Sequence, residues 1–366
     1  MSQARRAERL AALVAEQGLD QLIVGDLVRP GDSGPDAIAN LRWLTGFTGT
    51  SGIAVVGSEG RLFLTDFRYL ERAAREVADG FERRVVERQL LPELAEALRG
   101  RVGFDDAATS VRSLRRLEEA ISGAVELVPA AGLVERLRRS KDTDEQRSIA
   151  EAARVADEAL EWTLERRLAG RSEREVARAV EARIRELGAE PSFPAIVAAG
   201  PNGALPHAEP AEREIEAGEL VVFDLGAIVD GYCSDCTRTF AAGSEPDAEA
   251  ADVYELVRGA QAAGLEAVRA GVSGPDADSV ARELIAAAEH GDHFGHGLGH
   301  GVGLEVHEAP RLSQRSEDTL VEGDVVSVEP GVYLPDRFGV RIEDLVVITA
   351  DGHRNLSSLS KELRVV

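Results

Sequence analysis

The chain has little cysteine and no long apolar run. Two cysteines among 366 residues are too few for a disulfide framework, which excludes a small secreted domain held together by disulfides. No segment approaches the ~18 consecutive apolar residues that a membrane-spanning helix needs. The segment after Arg5 and Arg6 is amphipathic rather than apolar, which argues against a twin-arginine signal. We therefore expect a cytoplasmic protein without membrane spans.

Positive charge is also scarce. The sequence has 65 acidic against 42 basic residues, a net charge of −23, and its only lysines are Lys141 and Lys361, so 42 − 2 leaves 40 arginines. Such a surface repels phosphate backbones and anionic lipids, so we expect neither a nucleic-acid nor a membrane partner. An acidic, lysine-poor composition is typical of halophilic archaea, although a GC-rich genome would also produce it. We expect a halophilic protein.

Enough apolar material is present for two globular domains. Hydrophobic residues make up 44% of the chain and charged residues 29%, and the length fits about two domains. Helices and strands alternate in the first part, which predicts an α/β domain over residues 1–132. From the capping box at 143–146 onward, long helices precede antiparallel hairpins, which predicts an α+β domain over residues 133–366.

Two aspartates interrupt a predicted hairpin of the second domain. Asp224 lies within the apolar strand 219–227, and Asp235 lies on the following strand, 232–240. Depending on which two residues of 229–231 form the loop, the aspartates face each other directly or diagonally. A solvated sheet face with two ordinary aspartates is the alternative, but the first strand is too apolar for it. Two buried like charges are costly unless a cation neutralises them.

Cys233 and Cys236 form a Cys-x-x-Cys pattern on the same hairpin. On a strand, residues three apart point to opposite faces and lie ~10 Å apart. A disulfide needs Cα atoms within about 7 Å of each other. We therefore interpret both cysteines as small buried residues rather than a redox pair or a zinc site.

Five of the seven histidines lie between His290 and His307. The densest part, 296–308, alternates histidines with glycines, which remove side-chain bulk and let imidazoles approach a metal or a substrate. A flexible surface loop is the alternative, but the interspersed apolar residues indicate a buried segment. We expect His290 and His293 to be ordinary surface or capping residues.

Two glutamates occur late in the sequence at apolar strands. Glu329 ends the strand beginning at 325, and Glu343 lies within the strand 339–348, on the same face as Arg341. A structural salt bridge between Arg341 and Glu343 is the alternative interpretation. Two aspartates, two glutamates and one histidine suit two divalent ions ~3.5 Å apart. Oxygen-rich ligation with one imidazole favours manganese, iron or cobalt over a thiolate-type zinc site.

The second domain resembles the pita-bread metallopeptidases, such as prolidase, aminopeptidase P and methionine aminopeptidase. Five ordered motifs carry the resemblance: 205–208, 223–239, 296–308, 328–333 and 339–344. The first domain resembles the creatinase-type leader domain of prolidase and aminopeptidase P through residues 40–47. The resemblance implies a creatinase-type α/β domain followed by a pita-bread α+β catalytic domain. It also implies a homodimer.

The resemblance further implies a set of metal ligands and a mechanism. The implied ligands of two ions per subunit are Asp224, Asp235, His300, Glu329 and Glu343. Asp235 and Glu343 would bridge the ions, which would share a hydroxide that attacks the scissile carbonyl. Manganese is the expected metal, with cobalt, iron or zinc as the other candidates.

Further side chains are implied to act on the substrate. Glu329 would also serve as general base. His207 and His307 would contact the substrate and stabilise the oxyanion or the leaving nitrogen. His296 would line the leaving-residue pocket, and Arg341 would position substrate or a ligand carboxylate.

The implied activity is hydrolysis of Xaa-Pro bonds in small peptides with proline at the second position. We expect an Xaa-Pro dipeptidase, with an Xaa-Pro aminopeptidase acting on longer peptides as the alternative. Whether a carboxylate-binding group closes the space beyond the proline would separate the two. A non-catalytic pita-bread binding protein is a distant alternative, and the intact ligand set disfavours both it and a creatinase-like enzyme.

Overall fold

A computed structural model describes residues 2–25, 35–87 and 89–366. They divide into two compact units, Met1–Arg138 and Arg139–Val366. Helices of the first unit are α1 (Gln3–Glu16), α2 (Pro35–Thr45), α3 (Leu70–Glu76), α4 (Leu90–Ala97), α5 (Val111–Ala120) and α6 (Leu133–Arg138). Its strands are β1 (Gln21–Gly25), β2 (Gly52–Gly57), β3 (Gly60–Asp66), β4 (Glu82–Val86), β5 (Gly100–Phe104) and β6 (Val125–Pro129).

The first unit is built on one six-stranded mixed sheet of order β4-β3-β2-β1-β5-β6. Pairs β1–β2 and β2–β3 are antiparallel, and the other pairs are parallel. Consecutive residues of β1 are buried on both faces of the sheet, since α4 and α5 cover one face and α1 and α2 pack on the strands as well. The unit ends after α6 rather than before it, because α6 packs on α1 and α2.

The second unit joins four long helices to several small antiparallel sheets. Its helices are α7 (Thr143–Leu164), α8 (Glu173–Glu186), α9 (Ala248–Ala267) and α10 (Gly274–Ala287). Its strands are β7 (Glu190–Pro191), β8 (Ile196–Ala199), β9 (Leu220–Leu225), β10 (Ala227–Val229), β11 (Tyr232–Cys233), β12 (Cys236–Ala241), β13 (Gly299–Gly301), β14 (Glu308–Leu312), β15 (Val325–Val328), β16 (Gly331–Leu334), β17 (Phe338–Arg341), β18 (Asp344–Ile348) and β19 (His353–Asn355).

The two larger of its described apolar cores hold these layers together. One core packs α7 and α8 against the sheet β12-β9-β8. The other packs α9 and α10 against strands of the sheet β14-β13-β15-β18-β19 and of the pair β16–β17. Helices therefore pack against the sheets, in agreement with the predicted α+β class. Among the described residues, no helix is long and apolar enough to cross a membrane.

Capping side chains define the starts of the four helices of the second unit. Ser172 caps α8, and its hydroxyl accepts a hydrogen bond from the backbone N–H of Glu175. The predicted capping box at Thr143 is wrong by one residue. Asp142 caps α7 instead, and its own backbone N–H donates to the side chain of Glu145 at 2.9 Å, which completes the capping box. Asp142 and Thr143 both have a glutamate or glutamine three residues later, as a capping box requires. Asp142 is the cap because its carboxylate accepts from two backbone N–H groups at once.

Strands that the sequence predicted as continuous are broken. Gly226 separates β9 from β10, residues 234–235 separate β11 from β12, and residues 342–343 separate β17 from β18. In each case the chain leaves one sheet and enters another. At Gly226 the backbones come so close that an added Cβ would lie 1.9 Å from the Ser234 carbonyl oxygen. Asp235 and Glu343 therefore lie in short connections between two sheets rather than within a strand.

Candidate metal centre

Five acidic and imidazole side chains that the sequence singled out come together in the second unit. Asp224 lies on β9, Asp235 between β11 and β12, His300 on β13, Glu329 after β15, and Glu343 between β17 and β18. Candidate ligand atoms lie within 4.8 Å of one another in the groups Asp224–Asp235–Glu343 and His300–Glu329–Glu343. A third such group joins His307 to Asp235 and His300.

The two aspartates adopt the diagonal arrangement. Asp230 and Gly231 form the two-residue loop, with φ values of 49° and 79°, and Val229 pairs with Tyr232. This register places Thr237 directly opposite Asp224. Asp235 lies two residues nearer the loop and is therefore diagonal to Asp224. Cys233 and Cys236 are both buried on this hairpin and are not joined to each other.

His300 turns one ring nitrogen toward the carboxylates. Its Nδ1 donates to the carbonyl of Gly301 at 3.1 Å, which leaves Nε2 without a hydrogen in the neutral ring. Nε2 lies 3.2 Å from Glu329 Oε1 and 3.7 Å from Asp235 Oδ2. The Ser327 hydroxyl accepts from the backbone N–H of His300 and donates to Glu329 Oε1 at 3.0 Å. A backbone carbonyl that fixes the tautomer is the usual second partner of a metal-bound histidine.

Arg341 pairs with Asp224 and not with Glu343. Its Nη2 donates to Asp224 Oδ2 at 2.6 Å, while its Nε donates to the Thr237 hydroxyl at 3.0 Å. Thr237 in turn donates to Glu343 Oε2 at 2.8 Å. The salt bridge between Arg341 and Glu343 that the spacing allowed is therefore not formed, because the strand is broken between them and the side chains no longer alternate as on one strand.

One oxygen each of Asp224 and Glu343 is left for an external partner. Asp224 Oδ1 and Glu343 Oε1 are buried and accept no hydrogen bond from the described residues. Burial, followed by repulsion from nearby carboxylates, raises the pKa of Asp235 and of Glu343 well above their ordinary values. Burial also raises the pKa of Asp224 despite Arg341. Buried, mutually repelling carboxylates with unused oxygens fit a divalent cation, so the donor set agrees with the implied metal.

A cavity of about 480 Å³ opens onto these carboxylates. The predicted substrate residues His207, His296, His307 and Arg341 all line it. His207 and His307 are exposed at its wall. Partial burial of the His307 ring, followed by the effect of His300, lowers the pKa of His307 to about 4. The neutral imidazole of His307 can donate a hydrogen bond to an oxyanion without carrying charge.

His296 uses both ring nitrogens within the protein. Nδ1 lies 2.8 Å from the Gly297 carbonyl and therefore donates to it. Nε2 lies 2.9 Å from the Tyr333 hydroxyl, which already accepts from Arg341 at 2.8 Å. Tyr333 consequently donates to Nε2, which makes His296 a neutral acceptor there, and burial lowers its pKa. His296 thus contributes the shape of the cavity wall rather than a free N–H group.

Sequence reasoning missed several residues of the cavity wall. Phe193, Ile196, Arg311 and Ser313 also line it. Arg311 lies on β14 and is exposed, and no carboxylate among the described residues lies within salt-bridge distance of its guanidinium. A single arginine among 40 gives no pattern in the sequence. Only the path of the chain after His307 brings it to the cavity.

Comparisons with known proteins extend over both units. Residues 147–350 match metallopeptidase family M24, and residues 6–140 match the creatinase/prolidase N-terminal domain. An uncharacterized peptidase of Bacillus subtilis is 40% identical over 99% of this chain and 100% of its own length.

Solved structures give the same result. The Xaa-Pro dipeptidase from Bacillus anthracis matches with a TM-score of 0.94 at 36% identity, over 100% of both chains. The X-Pro aminopeptidase from Thermotoga maritima matches with a TM-score of 0.89 at 35% identity, over 99% of this chain and 100% of its own. These matches confirm the predicted family and the predicted pair of a creatinase-type domain and a pita-bread domain. The chain belongs to metallopeptidase family M24, in the group that carries a creatinase/prolidase N-terminal domain.

Proposed function

We propose that the protein is an Xaa-Pro dipeptidase that uses two divalent metal ions per subunit. The likeness to the Bacillus anthracis Xaa-Pro dipeptidase over the whole chain supports this assignment. The main structural support for a dipeptidase is the position of Arg311, which lies on the wall of the cavity that is also lined by the clustered carboxylates.

Five side chains would hold the metal ions: Asp224, Asp235, His300, Glu329 and Glu343. Their candidate ligand atoms lie within 4.8 Å of one another in overlapping groups. Two of the buried carboxylate oxygens accept no hydrogen bond from the described residues. When bound, such ions polarise the scissile carbonyl and acidify a water nucleophile. We propose manganese, because four carboxylates and one imidazole form a hard, oxygen-rich donor set.

The remaining residues would bind the substrate and move protons. Glu329, held by Ser327 and facing His300, would take up the proton that the water loses. His207 and His307 would donate to the oxygen or nitrogen on which charge develops during cleavage. Arg341 would keep Asp224 in place, since it donates a hydrogen bond to Oδ2 of that carboxylate.

Arg311 favours a dipeptide over a longer peptide. In an Xaa-Pro dipeptide the carboxylate directly follows the proline, whereas in a longer peptide a neutral amide stands there. An arginine without an acidic partner at the cavity wall suits that carboxylate, which it can bind through two parallel hydrogen bonds. The phenylalanine and isoleucine of the cavity wall supply apolar surface for the proline ring and the residue before it.

The alternative is an Xaa-Pro aminopeptidase, and the likeness to the Thermotoga maritima enzyme favours it. The two are separated by comparing Xaa-Pro with Xaa-Pro-amide, which differ only in the terminal charge. We expect Arg311→Ala to raise KM for the dipeptide about 100-fold and to leave the amide unchanged. Arg315→Ala, an exposed arginine that does not line the cavity, is the matched control. Equal effects of Arg311→Ala on both substrates would favour the aminopeptidase.

A further inference from the structure

The turn at residues 302–307, which includes His307, contains no helix or strand. It connects β13 to β14, and His307 is exposed in it, immediately before β14 begins. The pairing of the two strands is irregular here, because the register shifts after His300 and Gly301 pairs with Glu308. A side chain in such a turn needs an anchor outside the turn to keep a fixed position next to a reacting substrate.

The residue after His307 supplies that anchor. Glu308 Oε1 lies 2.6 Å from the ammonium nitrogen of Lys141, and their side chains are 9% and 1% exposed. Gly303 leaves the room for this carboxylate, since a Cβ at that position would lie 2.5 Å from Glu308 Oε1. The turn is thus folded around a buried ion pair rather than held by its backbone alone.

Lys141 is itself fixed by its backbone. Its N–H donates to the Gly323 carbonyl at 2.8 Å, and its carbonyl accepts from the Gln146 side chain at 2.9 Å. It directly precedes Asp142, the N-cap of α7. The ammonium group therefore projects from a rigid helix start toward the turn.

The lysines of this chain occur at comparable places. The other one, Lys361, lies 2.6 Å from Asp344 Oδ2, and the Asp344 side chain is 1% exposed. Asp344 directly follows Glu343, as Glu308 directly follows His307. In a chain that otherwise uses 40 arginines, both lysines pair with the acidic residue next to a proposed site residue. A compact ammonium on a flexible stem suits a single carboxylate oxygen at such a position.

We propose that the Lys141–Glu308 ion pair is a positioning device for His307. By fixing Glu308, it holds the imidazole of His307 against His300, whose ring centroid lies 4.3 Å away, and over the substrate cavity. The catalytic consequence rests on the proposed function, in which His307 donates to the reacting group. The positioning itself is a property of the turn and can be measured without substrate.

The test uses variants that remove the pair without leaving a lone buried charge. Lys141→Met/Glu308→Gln replaces both charges with groups of similar size, a change that buried ion pairs often tolerate in stability. We expect kcat for an Xaa-Pro dipeptide to fall about 100-fold, with metal content and thermal unfolding unchanged. The single variant Lys141→Met should lose at least as much kcat and also unfold at lower temperature. Wild-type kcat in the double variant would overturn the proposal.

A second comparison separates positioning from a general loss of structure. Introduced into a His307→Ala background, the double change should cost less than about twofold in kcat, because the residue it positions is gone. Lys361→Met is the matched control, since it breaks the other pair, and its effect should multiply with that of His307→Ala. A full 100-fold further loss in the His307→Ala background would show that the pair acts elsewhere, and would contradict the proposal.

A crystal structure of the double variant gives a readout that does not depend on activity. We expect the His307 ring to leave its contact with His300 while His300 and the carboxylates stay in place. An unmoved ring would overturn the proposal even if kcat fell. If the wild-type enzyme cleaves no Xaa-Pro peptide but the ring moves in the variant, the proposed function fails and the positioning role stands.

Discussion

Arg341 reaches across from β17 to β9 and donates to Asp224 Oδ2 at 2.6 Å, leaving the other carboxylate oxygen buried and unpaired. The guanidinium thus offsets the charge of this buried aspartate at one oxygen, and the other oxygen accepts no hydrogen bond from the described residues. Both side chains are largely buried, at 5% and 16% exposure. Both residues line the cavity, and Asp224 is also a candidate metal ligand, so this pair belongs to the cavity wall and to the candidate metal centre.

Removing Arg341 should strongly destabilise the metal-free protein. Arg341→Met leaves a buried carboxylate without its cation, which costs about 3–5 kcal/mol in the free energy of unfolding. Urea denaturation after chelation measures it. Arg337→Met is the control, because Arg337 pairs with Glu249 at the exposed surface and its loss should change little. Equal effects of the two variants would mean that the Arg341 pair is not needed to hold Asp224.

Asp235 should have opposite effects on stability with and without metal. Asp235→Asn removes one charge from the carboxylate cluster, so it should raise the melting temperature of chelated protein by relieving repulsion. In metal-loaded protein it should lower the melting temperature, because a ligand is lost and binding stabilises only the folded state. Differential scanning fluorimetry measures both.

The control for this comparison is Asp230→Asn at the hairpin loop. Asp230 is exposed and has a φ of 49°, a conformation that asparagine also adopts readily. We expect the same melting temperature as the wild type with and without metal. A decrease for Asp235→Asn in both conditions would argue against a metal site at the cluster.

The glycines around His300 have different roles. A Cβ at Gly299 would lie 2.0 Å from the Ser327 carbonyl oxygen, so Gly299→Ala must separate β13 from β15 and move His300 away from Glu329. We expect a destabilisation of about 1–3 kcal/mol and weaker metal binding, measured by urea denaturation and calorimetry. Gly295→Ala, in the same segment, meets no atom within 4 Å and is the matched control. Wild-type metal affinity in Gly299→Ala would contradict this account.

The net charge of −23 predicts a dependence on salt. At low ionic strength the acidic surface repels itself over longer distances, since the Debye length is about 30 Å at 0.01 M and 3 Å at 1 M salt. We expect the melting temperature and activity to rise from dilute buffer to molar KCl. Full stability in dilute buffer would instead support the GC-rich genome as the origin of the composition.

The sequence could predict which residues gather at the site, but not how they pair. Asp224, Asp235 and Glu343 are conspicuous as carboxylates within apolar strands, and burial makes such residues costly without a partner. The hairpin register remained open, because the turn at 229–231 allows two loops and only the φ values of Asp230 and Gly231 decide between them. Local propensity does not distinguish the two.

Long-range features could not be predicted for a related reason. The strand breaks at residues 226, 234–235 and 342–343 arise where the chain changes sheets, which depends on contacts distant in sequence. Arg341 consequently pairs with Asp224, 117 residues away, rather than with its neighbour Glu343. Arg311 was missed because its role comes only from the cavity that β14 borders.

The proposed dipeptidase activity is tested most directly by comparing hydrolysis of Xaa-Pro and Xaa-Pro-Yaa peptides by manganese-loaded protein in molar KCl. Asp235→Asn is the control. We expect cleavage of the dipeptide, little cleavage of the longer peptide, and loss of activity in the variant and after chelation. Preferred cleavage of the longer peptide, or dipeptide cleavage that persists in Asp235→Asn after chelation, would contradict it.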